Sequence, residues 1–314
     1  MSDSIADRTG EVMETAFEVA EKHLRAEVVT VTDPRDNTVA PFVLTNGAAT
    51  PIAASLFDAY RDHPLHRTGT AALTQLPSFI ALVNRFKFEN SAIFANDDFT
   101  KPSLTAIFDY HPDNGVAHDE PTQAMRHQAR YAFPLSKEWQ AWISGNAKPM
   151  GMGDFARFIE DHIVDVSADP VDLFAAASQE FVKANRGTIA TPSKLVEISR
   201  GLQVYERAVI KEAKNLSTGE AQFTFDSEHT DGDGKPLTLP TMFSITIPVF
   251  ARSSEVFRLI ARFRYRKTGE GLVFWYELWR PDLTFEIAFN EALDKVAAET
   301  GLPIYAGSPE KVGG

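Results

Sequence analysis

Between Glu255 and Arg280 the chain alternates so regularly that a pair of adjacent β-strands is the reading that satisfies it. Phe257, Leu259, Ala261, Phe263 and Tyr265 interleave with Arg258, Ile260, Arg262, Arg264 and Arg266, and then Leu272, Phe274, Tyr276 and Leu278 interleave with Val273, Trp275, Glu277 and Trp279. Side chains two apart on a strand leave the same face. The ribbon therefore has one continuously apolar face and one face with a row of arginines beside two indoles. The apolar face calls for a cover. The final helix, Asp282–Thr300, supplies one, with Phe285, Ala288, Phe289, Ala292, Leu293 and Val296 turned inward.

The other face is the candidate contact surface, made of Arg258, Arg262, Arg264, Arg266, Trp275, Glu277 and Trp279. Guanidinium over indole is favourable by about 0.5–2 kcal/mol, depending on solvation. Arginines for phosphate and indoles for base stacking would suit single-stranded nucleic acid. The same residues would equally knit a sheet face through cross-strand Arg–Glu and Arg–Trp pairs, or meet an acidic surface of the same protein or of another.

Upstream, helical spacing predicts helices over residues 4–25, Ile52–Tyr60, Ala71–Phe86, Met152–Val164, Val171–Asn185 and Pro192–Leu202. Ser136 predicts the start of a further helix, because its hydroxyl can accept from the amides of the first turn. Short strands are predicted at Glu27–Thr32, Val39–Leu44, Asn90–Ala95, Ser103–His111 and Gln128–Phe133. From about Gln203 the pattern turns to β, with strands over 203–213, 220–228, 242–250, 255–267 and 271–279. The fold expected is α+β: a helix-rich N-terminal half carrying short β-hairpins, and a C-terminal antiparallel β-meander covered by the terminal helix. It divides as residues 1–200 and 201–314, either two domains or one continuous domain, since no long linker marks the boundary.

The formal net charge of −12 repels nucleic acid over most of the surface, so nucleic-acid binding would need a local basic patch. The same charge disfavours anionic membrane, and no apolar run approaches the ~18 residues of a membrane span. The acidic, amphipathic N-terminus lacks the basic start and apolar centre of a signal peptide, so the cytoplasm is expected. There is no cysteine, hence no disulfide, thiolate nucleophile or Cys-based zinc site.

The candidate metal ligands are His111, His118 and His127, in a loop that also holds Asp109, Asp119 and Glu120. Their spacings of seven and nine residues match no motif of fixed geometry, and no metal or other cofactor is expected. Asp231-Gly232-Asp233-Gly234 resembles the start of a calcium loop, but the position that should carry a bidentate acid is Met242, so a plain turn is expected. Gly151-Met152-Gly153 lacks the third glycine and preceding strand of a dinucleotide loop. Glu160, Asp161 and Asp165 could be paired carboxylates or simply a solvated helix side. No catalytic signature emerges, so no catalytic residue is named and a non-enzymatic role is expected.

Several runs together resemble the YfdQ-like family of phage and prophage proteins. They are LPSFIALVNRFK, SAIFANDD, IFDYH, HQARYAFPLSKEWQAW and MGDFARFIEDHIVDV, followed by IPVF, FRLIARFRYR, LVFWYELWRPD and FNEALDKVAAETGLPIYAG. The resemblance covers about residues 68–307. It implies a phage origin and expression in the cytoplasm of a bacterial host, and carries no catalytic residues with it. The expectation is a non-enzymatic phage or prophage accessory protein that acts by self-association and protein contacts, with a homo-oligomer, a phage protein or a host protein as partner. Single-stranded nucleic-acid binding in phage replication or recombination is one alternative. A structural protein forming a ring or capsid-like shell is another.

Overall fold

The computed structural model describes residues 12–19, 21, 26–32, 39–45, 48–51, 67–111, 125–168, 176–185, 189–204, 209–215, 221–226, 237–268 and 271–310. Four hydrogen-bonded sheets organise them. After a helix over 12–19 (α1), strands Glu27–Thr32 (β1), Val39–Thr45 (β2) and Ala48–Pro51 (β3) form a three-stranded antiparallel sheet.

Next come strand Gly69–Leu73 (β4), helix Leu76–Phe86 (α2) and strands Ala92–Asn96 (β5), Ser103–Ile107 (β6) and His127–Ala132 (β7). With the C-terminal strand Ile304–Ala306 (β17) they build a five-stranded sheet of order β17-β5-β6-β7-β4. Its centre is an antiparallel meander, and both edges are parallel additions: β4 runs along β7, and β17 along β5. Pro77 stands at the opening of α2, where its missing N–H costs nothing. Phe79, Ile80 and Val83 turn the helix's buried side onto the sheet.

The largest sheet gathers strands from all over the chain. Its spine is Met242–Ile247 (β14), Phe257–Thr268 (β15) and Gly271–Leu278 (β16), all antiparallel. Met150–Gly151 (β8) pairs with β16, Val166–Ser167 (β9) with β14, and Ile189–Ala190 (β10) runs parallel to β14. Helix Lys137–Gly145 (α3) precedes the first of those short strands, Met152–Asp161 (α4) and Ala176–Ala184 (α5) lie between them, and Pro192–Val204 (α6) follows the last. Val209–Asn215 (β11), Ala221–Asp226 (β12) and Leu237–Leu239 (β13) form a separate antiparallel sheet. The last helix is Pro281–Thr300 (α7), closed by Gly301 in the left-handed conformation that glycine tolerates best.

One apolar cluster runs through both large sheets, from Phe79, Ile93 and Leu104 to Phe243, Phe263 and Tyr276. The apolar face of the β15–β16 ribbon is roofed by α3 and α4: Phe155 meets Phe263 at 5.1 Å, and Trp142 meets Tyr276 at 5.0 Å. Helix α7 packs at the junction, with Phe285 5.0 Å from Phe99 and Phe289 5.3 Å from Phe133.

This architecture corrects the expected fold of a helix-rich N-terminal half with short hairpins and a C-terminal antiparallel meander covered by the terminal helix. The N-terminal half contributes a whole three-stranded sheet, four strands of the five-stranded sheet, and three strands to the largest. Helices from that half, rather than α7 alone, cover the ribbon. The strands over 209–226 leave the ribbon's sheet for one of their own. The physical reason is non-local pairing. Parallel edges and two-residue strands join segments far apart in sequence, and no local periodicity announces them. Locally, the helix predicted from Ala71 gives way to strand β4 as far as Leu73. Of the predicted helix over 4–25, residues 12–19 and 21 are helical and the rest lie outside the described residues, as do Ile52–Tyr60 and the Asp231–Gly234 turn.

Candidate functional site

Register decides what the arginine face is. Arg262 stands opposite Glu277, Arg264 opposite Trp275, and Arg266 opposite Val273. On the other side Arg258 stands opposite Thr246, Ile260 opposite Ser244, and Arg262 opposite Met242. Alternation puts all of these on one face of three adjacent strands, so the predicted arginines, Trp275, Glu277 and Trp279 do come together.

That face is not open along its whole length. Helix α5 lies over one end, where Val182, Met242 and Ile260 are buried together. Phe181 of α5 packs on Trp279 with ring centres 4.8 Å apart, and the Arg262 guanidinium sits 4.5 Å over the same Phe181 ring. Trp279 and Arg262 therefore serve an internal contact. Such a cation–π pair contributes on the order of 0.5–2 kcal/mol. Arg258 is exposed on the far side of that contact, apart from the half-open remainder of Arg264, Trp275 and Glu277, with Val273 beside them and Arg266 exposed at the other end.

Inside the remainder Glu277 is the hub. It accepts from Arg264 Nε at 3.1 Å and from Trp275 Nε1 at 3.2 Å. Partial burial works against its ionisation, but the bonds from Trp275 and Arg264 and the charges of Arg264 and Arg262 outweigh it and hold the carboxyl below its usual range. The ribbon's outer edge is already engaged. Tyr276 O accepts from Ala147 N at 2.8 Å, Leu278 N donates to Asn146 Oδ1 at 2.9 Å, and β8 pairs with Val273 and Phe274. The patch can therefore receive a partner on its face, and not by strand addition.

The histidines do not converge. His127 lies on the α2 side of its sheet, 5.1 Å from Phe86 and 4.5 Å from Phe108. Burial lowers its proton affinity, helped by the charge of Arg67 and opposed by Asp109. The His111 ring lies tilted against Tyr110 at 5.3 Å, and the Tyr110 ring packs on Phe94 on the opposite side of that sheet. His118 lies outside the described residues. Among the described residues no group of three metal-ligating side chains forms.

The predicted carboxylates Glu160, on α4, and Asp165, in the turn Ile163–Asp165 after it, separate as well. Glu160 accepts from the Ser199 hydroxyl at 2.6 Å, while Asp165 is buried and accepts from Trp142 Nε1 at 2.8 Å. Gly151 ends strand β8 and precedes α4.

Two hollows had no herald in the sequence. One, of about 680 Å³, lies between the start of α2, residues 251–255 and α7. Tyr131, Phe133, Phe250 and Phe257 line it, as do Arg252, Glu255, Glu291 and Lys295. Arg252 has φ 66° and donates to Thr74 O at 3.2 Å. Burial raises the proton affinity of the Tyr131 phenol, against the charge of Arg252. Cations and carboxylates balance in that lining, so it has shape without a charge preference. The other, of about 300 Å³, lies on the five-stranded sheet. The lining of each comes from segments more than a hundred residues apart, which no sequence window displays.

Over residues 14–309 the chain matches the family described as "Uncharacterized conserved protein (DUF2303)", and it belongs to that family. The description names no activity. Neither the curated proteins nor the solved structures compared with the chain gave a match.

Proposed function

We propose, with membership of that family as the premise, that this chain is a non-enzymatic accessory protein that self-associates and acts through protein contacts. The YfdQ-like resemblance of residues 68–307 suggests phage or prophage as its origin and the bacterial cytoplasm as its place of work. The contact surface is the remainder of the ribbon face: Arg264, Arg266, Val273, Trp275 and Glu277.

One observation carries the choice of partner. The patch holds its own ionised carboxylate at its centre, bonded to both Arg264 and Trp275. A phosphate backbone approaching Arg264 would meet Glu277 at contact distance, and the wider surface of a −12 chain repels it as well. A mixed patch of guanidinium, indole and carboxylate suits a protein surface, where aromatic and Arg side chains anchor an interface. The occupant is a second copy. An acidic chain supplies carboxylates for Arg266, and the occupied outer edge directs docking to the face.

The test is sedimentation velocity of the purified chain over a wide concentration range, with Arg266→Glu and Trp275→Ala in parallel. Oligomers in the wild type that dissociate in either variant are expected. A monomer at every concentration removes the reading, and so does assembly indifferent to both substitutions. Salt-sensitive binding of oligo-dT that is lost in Arg264→Ala or Trp275→Ala would instead favour single-stranded nucleic acid. Rings or closed shells in negative stain would make the assembly structural.

A further inference from the structure

The face of the five-stranded sheet turned away from α2 carries a polar trough. Thr105 stands opposite Arg130, Asn96 opposite Ser103, and Thr70 opposite Gln128, so alternation aims six hydrogen-bonding side chains from four adjacent strands the same way. They line a hollow of about 300 Å³. Its remaining wall is Phe94 and the segment Gly307–Pro309.

That wall is tied down. Gly307 has φ 123°, a conformation side-chain-bearing residues avoid, and donates its N–H to Ala95 O at 2.7 Å. Just beyond it, Glu310 accepts from the Tyr110 hydroxyl at 3.0 Å.

Charge selects the ligand. Among the described residues of the lining, Arg130 is the one ionisable side chain. Among the described residues no carboxylate pairs with it; Glu310 is held by Tyr110, and Asp98 by Thr100 and Lys101. A guanidinium set among hydroxyls and amides matches an oxyanion, which it can hold through two parallel bonds. Asn96 Oδ1 already accepts from Asp98 N at 3.1 Å and Gln128 Nε2 donates to Met125 O at 2.8 Å, so the trough is offered the Asn96 amide N–H and the Gln128 amide oxygen, beside hydroxyls that both donate and accept, as a hydroxylated body requires. The volume stands at the small end of ligand sites.

We propose that this trough binds a small hydroxyl-rich molecule bearing one oxyanion group, a phosphate or a carboxylate, with Arg130 on the oxyanion and Thr105, Ser103, Asn96 and Gln128 on the body. The site is separate from the ribbon face and stands or falls independently of it.

The experiment is calorimetric titration of the full chain with glucose 6-phosphate and with gluconate, and with glucose as the uncharged control. Arg130→Gln removes the charge from an exposed side chain, and Thr105→Val removes one hydroxyl from the floor. Saturable binding of at least one charged probe is expected, glucose binding more weakly. Arg130→Gln should weaken the charged probe about tenfold or more, the scale of a charge-assisted bond. Thr105→Val should weaken it less. Binding of glucose 6-phosphate alone assigns a phosphate, gluconate alone a carboxylate, and both the shared chemistry. Failure of both charged probes to bind overturns the proposal, and so does binding undiminished in Arg130→Gln. The sedimentation behaviour of Arg130→Gln should match the wild type, which keeps this test apart from that of self-association.

Discussion

At the scale of single residues, the best-defined polar contacts are buried ones. Trp142 lies fully inside, and its indole N–H donates to Asp165 Oδ2 at 2.8 Å. Burial pushes the Asp165 carboxyl up, against the pull of the Trp142 N–H and the His162 ring, with Glu138 adding to the push. A raised folded-state value means the folded chain holds the proton more tightly than the unfolded chain. The contribution to stability is therefore full below the ordinary aspartate range and lost as pH rises through the raised value. Asp165→Asn keeps an acceptor for Trp142, so urea titrations from acid to neutral pH should show its curve flattened across that window. Asp165→Ala orphans the indole N–H and should cost about 1–3 kcal/mol. Glu277 has the opposite sign. Its lowered value contributes stability above the ordinary glutamate range, lost as pH falls through the lowered value. Because the pair with Arg264 is partly exposed, a double-mutant cycle of Glu277→Gln and Arg264→Gln should return less than about 1 kcal/mol.

At the scale of elements, α3 shows how a local signal and a distant one cooperate. Ser136 caps it as the sequence indicates, accepting from Trp139 N at 2.9 Å. The same hydroxyl donates to Pro248 O, tying the helix start to the end of β14. At the other end the Tyr276 hydroxyl donates to Trp142 O at 2.6 Å, and a Cβ on Gly145 would run into that hydroxyl. Ser136→Ala should lose about 0.5–2 kcal/mol as a missing cap. Gly145→Ala should lose about 1–3 kcal/mol by overpacking, since Tyr276 is fully buried and has no room to yield. Thermal denaturation of both variants checks the pair, and an unchanged midpoint in Gly145→Ala would show that α3 is not seated on β16 in this way. The cap was legible because it depends on residues three apart. The need for glycine at 145 was not, because the obstructing atom belongs to a strand more than a hundred residues later.

At the scale of the whole molecule, α7 joins the two large sheets through rings. Phe285 contacts Phe99 from the five-stranded side and lies 6.0 Å from Phe250, which follows β14. Phe285→Ala should open a cavity at this junction and cost about 3–5 kcal/mol. Because one apolar cluster includes residues on both sides of position 200, far-ultraviolet dichroism and tryptophan fluorescence should report one coincident unfolding transition. Two separated transitions in the wild type would mean that the segments before and after residue 200 fold as independent units.

The sequence by itself determined the elements whose logic is local. The β15–β16 ribbon, the run of α7, the cap of α3 and the sidedness of the arginine row all follow from spacings of two, three or four residues, which translate directly into faces. The tertiary structure alone decided which of those faces stay open. Helix α5 lies across Arg262 and Trp279, the parallel strands β4 and β17 widen a hairpin meander into a five-stranded sheet, and four strands aim their polar side chains around Arg130. Those outcomes depend on contacts between segments distant in the chain. Such contacts are set by how the apolar faces can all be buried at once, a condition that no single window of sequence contains.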